Sequence, residues 1–195
     1  MSAPPSGASL RIKAAWFPAI KTLDVFTLTN RQGISKDRLG KLASGKYLID
    51  YDNETFLGPR GTGKTHLAIG LRVLACRHSE RVLFDTASGW VGRLEHAHQQ
   101  GTLERKLARI TRYGLIIIEQ AEYLPFEPGP ANLFFHLVSS RYEHASIMLT
   151  SNLPCGRWGK IFGEPAIAAA IIDRLVHHAE VHPLTGDSYR TKERI

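Results

Sequence analysis

Eight consecutive residues, Gly58-Pro59-Arg60-Gly61-Thr62-Gly63-Lys64-Thr65, carry the clearest chemistry in the chain. They satisfy every position of the pattern G-x-x-x-x-G-K-[ST], whose backbone amides cradle nucleotide phosphates. Glycines at Gly61 and Gly63 let the chain turn so that successive N–H groups point inward, making an anion nest at a helix N-terminus. Lys64 supplies a point charge for the β- and γ-phosphates, and the Thr65 hydroxyl a ligand for the Mg²⁺ that travels with ATP. The competing reading is a chance glycine-rich turn. It leaves unexplained why all eight positions fit, between a strand ending at Leu57 and a helix.

Such a loop works only when a strand delivers it and a helix receives it. Short apolar runs at 55–57, 81–84, 115–118, 146–149 and 180–184 are the strand candidates, and stretches with helical character lie between them. Leu67, Leu71 and Leu74 recur at helical spacing, as do Leu103, Leu107 and Ile110. Segments 132–142 and 165–178 read as further helices. Strands alternating with one-faced helices predict an α/β fold: a P-loop three-layer sandwich around a mostly parallel five-stranded sheet. Ahead of it, residues 1–9 read as a disordered Pro/Ser/Ala leader. Residues 10–51, with a helical stretch over 35–46 that ends near a glycine, read as a lead-in packed on the core. The nucleotide-binding domain then occupies 52–195.

The 195 residues suit one core, and 43% hydrophobic content is ordinary for a globular protein. No apolar run reaches the roughly 18 residues that span a bilayer, and the opening residues lack a signal peptide's basic start and apolar centre. A cytoplasmic protein with no membrane partner is expected. Two cysteines, Cys76 and Cys155, are too few for a disulfide framework. None of the nine histidines stands with a cysteine or carboxylate at a structural-zinc interval.

Lysine and arginine outnumber aspartate and glutamate 25 to 18, a formal charge of +7, which favours a polyanionic partner such as nucleic acid. Arg105, Arg109 and Arg112 form a basic stripe opposite Leu103, Leu107 and Ile110. An ordinary solvated helix face accounts for that stripe as well as a DNA contact does.

The loop with its flanks, Leu57 to Ile69, together with Tyr113-Gly114-Leu115-Ile116-Ile117-Ile118, Tyr123-Leu124-Pro125-Phe126 and Leu149-Thr150-Ser151-Asn152-Leu153-Pro154, resembles the IstB-type transposition helper ATPases. The DnaC-like helicase loaders are their cousins. The similarity runs from about Leu10 to Arg190. It implies an AAA+ fold, an ATP-dependent homo-oligomer on DNA that binds largely without regard to sequence, and delivery of a transposase to its target. The stripe Arg105, Arg109, Arg112 would then lie along the DNA channel. The family usually carries a helical region ahead of the segment that starts here at Leu10, and this chain has only nine residues there.

The resemblance also assigns single residues. After strand 115–118 the family places an aspartate that helps hold Mg²⁺ and a glutamate that polarises the attacking water; this chain has Glu119 and Gln120. Glu119 keeps a carboxylate one methylene further out. Gln120 orients water by hydrogen bonding but cannot accept its proton, so hydrolysis is expected to slow by roughly 10²–10⁴-fold. Glu122 matches a family glycine, and nothing in the sequence says where it points. Asn152 matches the sensor of the γ-phosphate, with an Asx-turn into Pro154 as the plainer reading. Arg174 matches the arginine finger offered to a neighbouring subunit's nucleotide, against an ordinary solvated arginine. Arg190 matches a second phosphate sensor. Two further readings stay open: a helicase loader, and a module that binds ATP and DNA without turning over.

Overall fold

In a computed structural model of the protein, residues 34–123, 128–160 and 165–186 are described. Two helices open this part, α1 (Lys36–Ser44) and the short α2 (Lys46–Ile49). The single helical stretch expected over 35–46 is thus two pieces. Ser35 caps the first by accepting from the Arg38 N–H, and Gly45, at φ 72°, ends it in the left-handed conformation that glycine adopts without strain.

Then follow β1 (Asn53–Leu57), α3 (Lys64–Arg77), β2 (Val82–Thr86), α4 (Ala87–Gln99), α5 (Leu103–Ile110), β3 (Leu115–Glu119), α6 (Pro128–Ser139), β4 (Ser146–Ser151), α7 (Pro165–Val176) and β5 (Ala179–Pro183). The strands form one sheet in the order β2-β3-β4-β1-β5, and every pairing is parallel. All five expected strands are present, each within two residues of its expected ends.

Period-two alternation on these strands sorts the core into two layers. Leu115, Ile117 and Met148 face α1, α2 and α3, packing with Leu42, Tyr47, Leu67 and Leu71. Ile116, Ile118, Ile147 and Leu149 face the other way, onto Trp90 and Leu94 of α4, Leu107 of α5, Phe134 and Leu137 of α6, and Ile171 of α7. Both faces of the central strands are buried, which is why β3 reads as an unbroken apolar run. Buried side chains of this size each contribute about 1.5–3 kcal/mol, so the sheet-to-helix contacts dominate stability.

Helix α4 is absent from the sequence expectations. Gly89 and Gly92 dilute its helical propensity, yet Thr86 caps it by accepting from the Gly89 N–H at 3.0 Å. Trp90, Val91, Leu94 and Ala97 form its buried face, and the Trp90 indole N–H donates to the Ile117 carbonyl at 3.0 Å. Among the described residues no helix is long and apolar enough to cross a membrane.

Two buried polar groups stitch the layers. Arg141, fully buried, donates to the carbonyls of Ile110, Tyr113 and Ser146, and burial pushes its guanidinium down to about 9. His182 of edge strand β5, also fully buried, meets Glu54 of β1 at 2.6 Å and stacks on Phe56. Burial holds the Glu54 carboxyl above its ordinary range, although His182 pulls the other way. Glu180 adds a third potential ligand atom within 4.8 Å and lies 3.8 Å from Arg38.

Candidate nucleotide-binding site

Parallel strands all end on the same edge, and the site gathers there. At the end of β1 the loop 58–65 turns into α3. Its opening extends the sheet: the Gly58 N–H donates to the Ser151 carbonyl at 3.2 Å, and the Leu184 N–H donates to the Leu57 carbonyl at 2.6 Å. Gly58 is wedged at this junction. A Cβ there would lie 2.1 Å from the Leu184 carbonyl oxygen, and its φ of 152° is unfavourable for any other residue. Gly61 and Gly63 take φ of 85° and 91°, the left-handed turn that an amide nest requires. No side chain caps α3 at Gly63, so the helix presents its first N–H groups to the loop's concavity.

Thr62 steadies the turn by donating to the Pro59 carbonyl at 2.9 Å. Lys64, 8% exposed, folds back over the loop and donates to the carbonyls of Gly58 and Pro59 at 2.6 and 2.7 Å. Burial lowers its ammonium from the ordinary lysine range, and the nearby carboxylates of Glu122 and then Glu119 oppose that shift. Thr65 is half-buried in the first helical turn. Arg60 is exposed, its guanidinium 5.6 Å from the centre of the Tyr123 ring.

The end of β3 brings the acidic side of the site. Glu119 is buried as the strand's last residue. Gln120 is exposed with φ 56°, a strained value for a residue with a side chain, and its backbone N–H donates to Thr150 Oγ1 at 3.2 Å. That bond ties position 120 to β4, beside Asn152.

Glu122, in the 3₁₀ turn Ala121–Tyr123, points back into the site. Its carboxylate accepts from Asn152 Nδ2 at 2.6 Å and from the Asn152 backbone N–H at 3.1 Å. The Asn152 side-chain amide is thus held by Glu122 through its donor end. Charge at position 122 was visible in the sequence, but its direction was not.

Loop residues Gly58 through Thr65, with Glu119, Gln120 and Asn152, thus converge on one edge. Arg174 does not join them. It sits in the last turn of α7, donates to the Ala170 carbonyl at 3.2 Å and lies 4.8 Å from the Phe135 ring centre. Its carbonyl accepts from Asn53 Nδ2, at the start of β1, the sheet edge opposite the loop. Arg105 and Arg109 are exposed on α5 while Leu107 and Ile110 are buried, so the two-sided pattern holds there. Arg112 lies beyond the helix end, in the exposed turn leading to β3, rather than on the helix as the 3.6-residue spacing predicted. Arg190, the segment ahead of Ile34 and the stretch 124–127 lie outside the described residues.

A β1–loop–α3 phosphate cradle at the carboxyl edge of a parallel 2-3-4-1-5 sheet defines the P-loop proteins of AAA+ type. Solved structures with the same architecture include the replication initiator DnaA bound to AMPPCP and single-stranded DNA (TM-score 0.67, 19% identity, 86% of this chain and 50% of that one). The DnaC helicase loader is another (TM-score 0.67, 17% identity, 85% and 97%). This chain spans about half of that initiator's length.

Within that class the sequence is more specific. The family model described as IstB-like ATP binding protein matches residues 7–195, and the chain belongs to that family. It is 41% identical over 188 residues to the insertion sequence IS21 putative ATP-binding protein of Pseudomonas aeruginosa, covering 96% of this chain and 71% of that protein. It is 39% identical over 183 residues to the corresponding IS5376 protein of Geobacillus stearothermophilus, covering 94% and 73%.

Proposed function

We propose that this chain is the ATP-holding, DNA-associated helper of an insertion-sequence transposase, acting as a homo-oligomer whose nucleotide state sets its grip on DNA. The observation that carries the reading is the complete phosphate loop converging with Asn152, in a chain of the IstB-like family. In this reading the loop amides and Lys64 take the β- and γ-phosphates, and Asn152 reads the γ-phosphate. Thr65 and Glu119 offer hydroxyl and carboxylate oxygens, the hard donors that Mg²⁺ takes, and Glu119 is close enough to Lys64 to affect its charge. The ion, when bound, would neutralise phosphate charge.

Gln120 separates holding from hydrolysis. Its amide orients a water but cannot take up the proton, so ATP persists in the site and the bound state is long-lived. Arg174, on the edge away from its own loop, suits a finger offered to a neighbouring subunit's nucleotide. The net charge of +7 and the exposed Arg105, Arg109 and Arg112 suit phosphate contacts that read no sequence. A non-hydrolysing ATP and DNA module is the second reading, and Gln120 is what favours it.

Equilibrium binding tests both halves. Lys64→Ala is expected to lose ATP binding by at least about tenfold, the worth of a charge-assisted phosphate contact. ATP binding unchanged in that variant would sink the phosphate-site reading. Replacing Arg105, Arg109 and Arg112 together with alanine is expected to flatten the salt dependence of duplex binding, by up to about 0.9 in slope for each DNA phosphate no longer neutralised. An unchanged slope returns the stripe to a solvated face.

A further inference from the structure

The donors assigned to the γ-phosphate are already engaged by the chain itself. Lys64 donates to the Gly58 and Pro59 carbonyls, while Asn152 donates through its amide and its backbone N–H to the Glu122 carboxylate. We propose that Glu122 lowers this site's preference for ATP over ADP, by holding Asn152 with a carboxylate that a γ-phosphate must displace. The inference rests on the ATP-site reading above and adds a residue to it that the family pattern does not supply.

Two like charges compete for one set of donors. A carboxylate and a terminal phosphate are both anionic acceptors that seek the same short, charge-assisted bonds from an amide and an ammonium. Glu122 already holds Asn152, and it is the acidic group that most strongly opposes the loss of charge on Lys64. A γ-phosphate placed against Asn152 and Lys64 brings up to two further negative charges within a few ångströms of that carboxylate. Two anions brought this close in a partly buried site repel one another, so the Glu122–Asn152 clasp opens as the Asn152 amide turns to the γ-phosphate.

ADP makes no such demand. Its β-phosphate is served by the loop amides and Lys64, and the Glu122–Asn152 clasp stays closed. Part of the γ-phosphate's binding energy is therefore used to open the clasp, which lowers the preference for ATP over ADP. The clasp also joins two elements. Released from Asn152, the turn Ala121–Tyr123 keeps only the Gln120–Thr150 bond beside it as a hydrogen-bonded tie to β4. That turn carries Tyr123, 47% exposed and packed near Arg60 of the loop. Occupancy at the γ-position thereby reaches the surface through the turn.

The test is titration calorimetry of the full chain with ADP and with a non-hydrolysable ATP analogue, each with Mg²⁺, for the native protein, Glu122→Gln and Glu122→Gly. Glu122→Gln preserves shape and removes the charge, so the analogue is expected to bind about tenfold tighter or more while ADP changes by less than about threefold. Glu122→Gly, which removes the side chain, is expected to move the ratio the same way, with a thermal melt confirming that each variant is folded. Equal tightening for both nucleotides overturns the proposal, because it reports general charge relief. So does weaker analogue binding, which would make Glu122 a support of the nucleotide site. A native chain that binds neither nucleotide refutes the ATP-site reading itself, a different failure from a native chain that binds both with a ratio Glu122 does not control.

Discussion

Converting Gln120 to glutamate tests the proposal that this site holds ATP without cleaving it efficiently. The substitution is nearly isosteric, and position 120 is exposed with its backbone held by the bond to Thr150 Oγ1. The strained φ of 56° is the same for either side chain. Folding stability should therefore change by no more than about 0.5 kcal/mol. The side chain's chemistry is what changes: a carboxylate accepts the proton of the attacking water as its oxygen bonds to the γ-phosphorus, and an amide does not. A positioned general base is worth about 10²–10⁴ in rate, which is roughly 2.7–5.5 kcal/mol of barrier. Against this, a third carboxylate beside Glu119 and Glu122 repels the triphosphate. For screened charges some 8 Å apart that cost is on the order of 1 kcal/mol, a several-fold weakening of ATP binding. The expected signature is kcat up by at least about 100-fold with KM up only a few-fold. Phosphate release at saturating ATP, with and without duplex DNA, measures it, and single-turnover mixing separates chemistry from product release. Equal kcat for Gln120→Glu and the native chain would refute the reasoning.

Three other perturbations follow from the same geometry. Arg141→Met fills the volume but strips donors from the buried carbonyls of Ile110, Tyr113 and Ser146, so urea unfolding should show a loss of about 3 kcal/mol or more. Gly58→Ala drives a Cβ into the Leu184 carbonyl, and a loop displaced by that clash should bind ATP at least about tenfold more weakly, as read by calorimetry. Glu54 gives a pH dependence. Its folded-state carboxyl lies above its unfolded value, so its contribution is fully present below about pH 4.3 and is lost as pH rises through the folded value. Thermal melts across pH should show that decline in the native chain and its absence in Glu54→Gln; a native melting temperature flat from acid to neutral pH would count against it.

The centre of the sheet was legible because β3 and β4 are buried on both faces. A run such as Leu115-Ile116-Ile117-Ile118 belongs in the middle of a parallel sheet, where neither face meets water. The phosphate loop was legible because each of its positions is set by local backbone demands, and Gly58, Gly61 and Gly63 meet them. What the sequence concealed depends on contacts between distant segments. Helix α4 is held by Trp90 against β3 rather than by propensity, and Glu54 meets His182 across 128 residues.

Glu122 is the instructive case. Read along the chain, it is an acidic residue three positions past a strand, with no periodicity to orient it. Its meaning comes from the 3₁₀ turn that reverses the chain after Gln120 and aims the carboxylate at Asn152, 30 residues away. The same local stretch, Glu119-Gln120-Ala121-Glu122, therefore sets a neutral amide at 120 beside a charge at 122. On the proposed reading the two residues act on the γ-phosphate at different points, Gln120 at its cleavage and Glu122 at its admission. The double variant Gln120→Glu/Glu122→Gly should then combine faster turnover with tighter ATP binding, and additivity of the two effects would show that they act on separate steps.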